Sequence, residues 1–128
     1  MIANTPFWIA DVEVAWNLIV DKLWRTRSPL EWLDAARRKC GTGEAVCLGC
    51  DDGVVLVELQ ADERMRAVIL LAVSIHGNHA FRRHEAALVR IAQDMGAQEL
   101  AFRSDRKGWE RLLGPHWQHQ DGTYSRSV

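Results

Sequence analysis

Residues 76–83, His-Gly-Asn-His-Ala-Phe-Arg-Arg, bring together the groups best suited to holding an anion. An unbroken apolar run, ILLAVSI, leads into them, and a helical pattern follows. A glycine between a strand and a helix lets a ligand approach the backbone closely, and the first N–H groups of a helix have no partner within it. The spacing places the N–H groups of Asn78, His79, Ala80 and Phe81 where they could meet a phosphate, with Gly77 as the permissive residue. Arg82 and Arg83 then fall in the first helical turn, where cations oppose the macrodipole by about 0.3–1 kcal/mol each. An anion or an acidic partner at that end would offset the cost. Solvation and screening of both side chains is the alternative.

The same stretch is rich in histidine. His76, His79 and His84 crowd the turn, and His116 and His119 lie near the C-terminus. His76-x2-His79 would suit a metal only with a third ligand on the same turn, and Glu85 alone stands nearby. Turn hydrogen bonding accounts for these residues without a metal. Cys47-Leu-Gly-Cys50 has the spacing of zinc and redox sites. In a strand, however, positions 47 and 50 point to opposite faces. No second pair of this kind is present, so buried thiols are expected and no metal is assigned. No spacing supports a Cys–His nucleophilic pair.

Composition narrows the classes. The 128 residues suit one domain, 1–128, with a core of useful size. Sixteen basic and seventeen acidic side chains give a net charge of −1, which leaves no basic footprint for nucleic acid. No apolar run approaches the ~18 residues of a membrane span. The opening MIANTPFWIADVE lacks the charged and apolar regions of a secretory leader, and three cysteines are an odd count. Reduced thiols in a cytoplasmic protein are expected.

The positioning elements follow from periodicity. Val12, Trp16, Ile19 and Leu23, flanked by Ala15 and Val20, mark an amphipathic helix over 11–26 with Asp11 as N-cap. Ser28, Pro29 and Glu31 form a capping box for a second helix, with Leu30, Leu33, Ala36 and Cys40 on its apolar face and Gly41 at its end. Runs 44–50, 54–60 and 66–75 read as a three-stranded antiparallel meander, its third strand apolar enough to be covered on both faces. A third helix over 80–95 uses Phe81, Leu88, Ile91, Ala92 and Met95, with Gly96 beyond it. The strand 99–104 should lie parallel to the strand before that helix. A short helix at 107–113 and a final strand or hairpin complete the chain. Trp8, Trp16, Trp24 and Trp32 recur every eight residues, but eight residues rotate a helix by about 80°, so they share no face. Trp16 suits the core, and Trp8, Trp24 and Trp32 suit partial exposure.

This order, α-α-β-β-β-α-β-α-β, resembles the GNAT superfamily of acyl-CoA-dependent N-acyltransferases over nearly the whole chain. The most specific stretch is VSIHGNHAFRRHEAALVRIAQDMGAQELAFRSDRKGWERLLGPHW, and its Arg-Lys-Gly-Trp-Glu-Arg-Leu-Leu portion is similar to small GNAT-like proteins of tailed phages. The resemblance implies an α/β (α+β) fold: a central mixed, mostly antiparallel sheet flanked by helices. It also implies that the strand-to-helix turn would cradle the acetyl-CoA pyrophosphate, through Gly77, Asn78, His79, Ala80, Arg82 and Arg83. The family motif there is Arg or Gln, two residues, Gly, one residue, then Gly or Ala. Here Ser74 and His79 occupy the first and last positions, and only Gly77 is kept, although Ala80 would serve in a turn one residue longer.

Acyl transfer needs an acid for the leaving thiolate and often a base for the amine. The family commonly places a tyrosine near the start of the last helix; this chain has Trp109 there, and an indole supplies no proton. Its single tyrosine is Tyr124, and Glu58, then Glu63, are the carboxylates nearest to a base role. Two functions are therefore expected to compete. One is a phage-encoded GNAT-fold protein of the host cytoplasm, without acetyltransferase activity. It would need no cofactor and would act through protein contacts, with virion components or by self-association. The other is an N-acetyltransferase that uses acetyl-CoA with a divergent turn.

Overall fold

The computed structural model describes residues 5–23, 30–75, 80–104 and 108–128. In chain order the elements are β1 (Trp8–Ile9), α1 (Val12–Leu23), α2 (Leu30–Thr42), β2 (Ala45–Cys50), β3 (Gly53–Ala61), β4 (Met65–Ser74), α3 (Ala80–Asp94), β5 (Glu99–Arg103), α4 (Trp109–Leu112), β6 (Gln118–Gln120) and β7 (Thr123–Ser127). The seven strands form one mixed, mostly antiparallel sheet in the order β1-β2-β3-β4-β5-β7-β6. This is an α+β fold, with four helices among the described residues.

Asp11 starts α1 as expected: its Oδ1 accepts the Glu13 N–H at 2.9 Å. Val12 and Ile19 are buried against Leu33 and Ala36 of α2, with Ala15 and Trp16 packed alongside. Val20, one residue and about 100° beyond Ile19, turns outward and is exposed. Arg37 of α2 lies 4.8 Å over the Trp16 ring and pairs with Glu13, tying the two helices together. Ser28, Pro29 and Trp24 lie outside the described residues. The expected stop at Gly41 is corrected. The helix continues to Thr42, whose hydroxyl donates to the Lys39 carbonyl at 3.2 Å. The chain leaves at Gly43, whose φ of 83° is the left-handed conformation that glycine takes freely.

The meander forms as the alternating apolar runs require. β2 pairs antiparallel with β3, and β3 with β4. Cys47 joins the core beneath α1 and α2, whereas Cys50 joins the core beneath α3, so the two thiols occupy opposite faces. The two-residue edge strand β1, which has no periodic signal, adds to β2 through Trp8 opposite Gly49 and Ile9 opposite Leu48. A Cβ at Gly49 would meet the Trp8 indole Nε1 at 2.8 Å, so the bare glycine makes room for that ring.

One irregularity governs the centre of the sheet. Leu56 pairs with Leu71 but Val57 pairs with Ile69, so Leu70 is an extra residue in β4. A strand's side chains alternate, and one inserted residue reverses that alternation. Ala67 and Ile69 accordingly pack under α3, and Leu71 and Val73 pack under α1 and α2. β5 runs parallel to β4, as expected from the intervening helix, and pairs only with Arg66–Ile69. Past the bulge the expected covering of both faces fails, and Ala72 on this central strand is exposed.

The last strands close the sheet as a hairpin. Asp121 and Gly122 both have positive φ, 53° and 80°, which a two-residue turn of the mirror-image type requires. Gly53, at the start of β3, has φ +150°, and a Cβ there would lie 2.0 Å from the Val73 carbonyl oxygen. Gly53→Ala is expected to destabilise the fold by about 3 kcal/mol or more, because backbone strain and a backbone clash add. Urea unfolding measures it, and an unchanged midpoint would contradict the tight β3–β4 approach at Val73.

Candidate functional site

The residues expected to act divide between three places. Gly77, Asn78 and His79, with His76, lie outside the described residues. Ala80 and Phe81 begin α3 half-buried, and Arg82 points to solvent. Arg83 turns toward the β2–β3 hairpin, where its Nε is 3.2 Å from Asp52 Oδ2. The same oxygen lies 2.5 Å from His84 Nε2, and the Phe7 ring meets the His84 ring edge-on at 5.5 Å. The Asp52 carbonyl also accepts the Ile75 N–H at 2.6 Å.

Asp52 therefore holds Ile75 by its backbone and the start of α3 by its side chain. The hydrogen bond to His84, followed by that to Arg83, holds its carboxyl below the ordinary aspartate range. This carboxylate is an acidic partner, within the chain, for a cation at the helix start. Asp52 carried no sequence signal beyond its place in an Asp-Asp-Gly turn, and Arg83 and His84 follow it by more than thirty residues.

Tyr124 is deeply buried on β7, 3% exposed. Its ring stacks near-parallel on Phe102 at 5.2 Å and on His119 at 4.2 Å. All three are cross-strand neighbours on β5, β7 and β6. The hydroxyl donates to Glu110 Oε1 at 3.2 Å. Burial pushes the phenol above its ordinary range, and the bond to Glu110 and that carboxylate's charge push it further. Trp109 sits beside this stack, 4.8 Å from Phe102 and 5.7 Å from Phe81, with its indole N–H donating to Ser104 Oγ at 2.9 Å. Below it, Glu85 of α3 accepts from the Trp117 indole and, at 3.4 Å, from Arg126 of β7.

Glu58 stands apart from all of this. It is buried, 7% exposed, and alternates with Val54 and Leu56, the β3 residues that face α1 and α2. Lys39 of α2 lies 3.0 Å from its Oε2, and Gln60 donates to its Oε1 at 2.6 Å. Tyr124 belongs to the core under α3. The two catalytic candidates thus occupy opposite faces of the sheet, where one substrate could not reach both. Glu63 is exposed in the β3–β4 hairpin.

The thiols are held as packing groups. Burial, and then the neighbouring Cys40, pushes Cys47 up to about 11, and burial raises Cys40. Among the described residues no group of three or more histidine, cysteine or acidic side chains is placed to hold a metal ion. Nor is any described helix long and apolar enough to cross a membrane.

The positional feature that remains is the carboxyl end of the parallel pair β4 and β5. The two strands pair over four positions, Arg66–Ile69 with Glu99–Phe102, and pair no further. Exposed Ala72 and half-buried Ser74 follow on β4. Ligands of open sheets with parallel strands favour the carboxyl ends of those strands. No family model, curated protein or solved structure matches this chain.

Asp52→Asn is expected to lower the unfolding midpoint at neutral pH by weakening the ties to His84 and Arg83. Asp52 has a depressed pKa in the folded state, so its contribution is present above the ordinary aspartate range and is lost as the pH falls through the folded value. Wild type and variant should therefore converge in acid. Urea midpoints taken across that range measure it, and a constant gap would refute the ionic role.

Proposed function

We propose that this chain is a GNAT-like domain that works through protein contacts rather than acyl transfer, as a phage-encoded virion, assembly or accessory protein in the host cytoplasm. The observation that carries this reading is the apolar pair on β1, the edge strand of the sheet among the described residues. Trp8 is 42% and Ile9 73% exposed, with Ala10 following and no charge on the two-residue strand. Soluble proteins usually guard such edges with charges or proline, because unpaired backbone and apolar side chains there invite a partner. Exposed Trp32 on α2 and Val14 on α1 add apolar surface elsewhere. The separation of Glu58 from Tyr124, and the engagement of Tyr124 by Glu110, support the absence of transfer chemistry.

A second reading is an N-acetyltransferase that uses acetyl-CoA. The end of β4–β5 pairing at Phe102, which the Phe81 ring at the start of α3 contacts, favours it, with the anion held at the turn that Gly77, Asn78, His79, Ala80, Arg82 and Arg83 would furnish. Fold resemblance by itself is weak support for activity.

Co-purification with virions, or sedimentation as a stable oligomer, is expected for the contact reading, and Ile9→Lys should abolish either one. A monomer absent from particles would count decisively against it. For the second reading, a ligand at one hundred times its dissociation constant adds about 2.7 kcal/mol of stability. Under the contact reading, melting in millimolar acetyl-CoA should leave the transition unmoved. A clear upward shift, abolished by replacing Arg82 and Arg83 with alanine, would favour the transferase.

A further inference from the structure

α4 is one helical turn, Trp109–Leu112, with no buried residue and no side-chain cap at its start. So short a helix has no stability of its own and must be held by tertiary contacts. Gly108, at φ 104°, precedes it and exposed Gly114 follows closely; neither has an atom within 4 Å of the place a Cβ would take. Glu110, Arg111 and Leu112 all face solvent.

The side chains of Trp109, Glu110 and Leu113 hold this segment down, Leu113 by packing against the core under α3. Trp109 packs on Phe81 and Phe102 and donates to Ser104. Glu110 accepts the Tyr124 hydroxyl and lies 3.5 Å from His119 Nδ1. The Glu110 side chain is itself 62% exposed, so water competes for both of its bonds. Beneath the turn lie a buried phenol and the Phe102 ring, the residue at which pairing between β4 and β5 ends.

We propose that α4 is a lid over Tyr124 and the Phe81–Phe102 aromatic surface, latched by Glu110 and able to lift on Gly108 and Gly114 while the sheet stays folded. Seated, it keeps the phenol covered and engaged by Glu110. Lifted, it bares a hydroxyl and two ring faces together, a surface for a planar or apolar group.

Tyr124 is the only tyrosine in the chain, so nitration of tyrosine reads this site alone. Glu110→Ala is expected to speed nitration of Tyr124 by about tenfold, with faster amide exchange at 109–113 and unchanged exchange in β5 and β7. Glu110→Gln, whose amide oxygen still accepts from the phenol, should stay close to wild type. In the wild-type chain, α4 amides should already exchange faster than those of β5. An unchanged nitration rate in Glu110→Ala would overturn the lid. So would equal acceleration throughout β5 and β7, or α4 amides that open only when β5 does.

Discussion

The arrangement of this fold depends on one inserted residue. Side chains on a strand alternate with period two, so Leu70 exchanges the faces served by the two halves of β4. The first half supplies Ala67 and Ile69 to the layer under α3, and the second supplies Leu71 and Val73 to the layer under α1 and α2. Without the bulge, all four would lie on one face, and Val68, Leu70 and Ala72 would take the other. The bulge also locally strengthens twist. It stands immediately past Ile69, the last β4 residue that pairs with β5.

Polar contacts then fix the helices against this sheet. Asp52 joins the β2–β3 hairpin to α3, Glu85 joins α3 to β7 and to Trp117, and Glu99 gathers Arg64 and Arg66 at the other end of β4. Each carboxylate bridges elements distant in sequence, and most of these side chains are partly exposed. Such pairs add modest stability and chiefly set orientation, whereas apolar burial supplies the larger share. The aromatic rings of Phe81, Phe102, Trp109, Trp117 and Tyr124 do the corresponding work for the C-terminal strands.

The elements were legible where periodicity was strong. Residues 44–75 read as a meander because β-branched runs alternate with turn residues, and the parallel placement of β5 follows from the handed connection through α3. Asp11 as a cap and the opposed faces of Cys47 and Cys50 follow from local geometry alone. Two-residue β1 has no periodic signal, and the bulge at Leu70 is invisible in a run where every neighbour is apolar. The site was less legible for the same reason. Asp52 with His84, and Glu110 with Tyr124, are pairings between residues far apart in the chain, and only the register of the sheet brings them together. Glu58 read as a candidate base because its partner Lys39 belongs to another element.

The short ladder between β4 and β5 also divides the sheet. On one side, β1 through β4 are joined by antiparallel pairing, with β2, β3 and β4 linked through tight turns; on the other, β5, β7 and β6 form a second antiparallel group. Four residue pairs of parallel ladder are the strand pairing that connects the groups, and α3 spans the join. The sheet thus has two strand units with a seam between them, across which one apolar core continues under α3. Side chains on α3 that reach both units, Arg83 and His84 toward the hairpin and Glu85 toward β7, serve as its stitching. A partner or ligand that bound at the seam would act on the coupling of the two units rather than on either one.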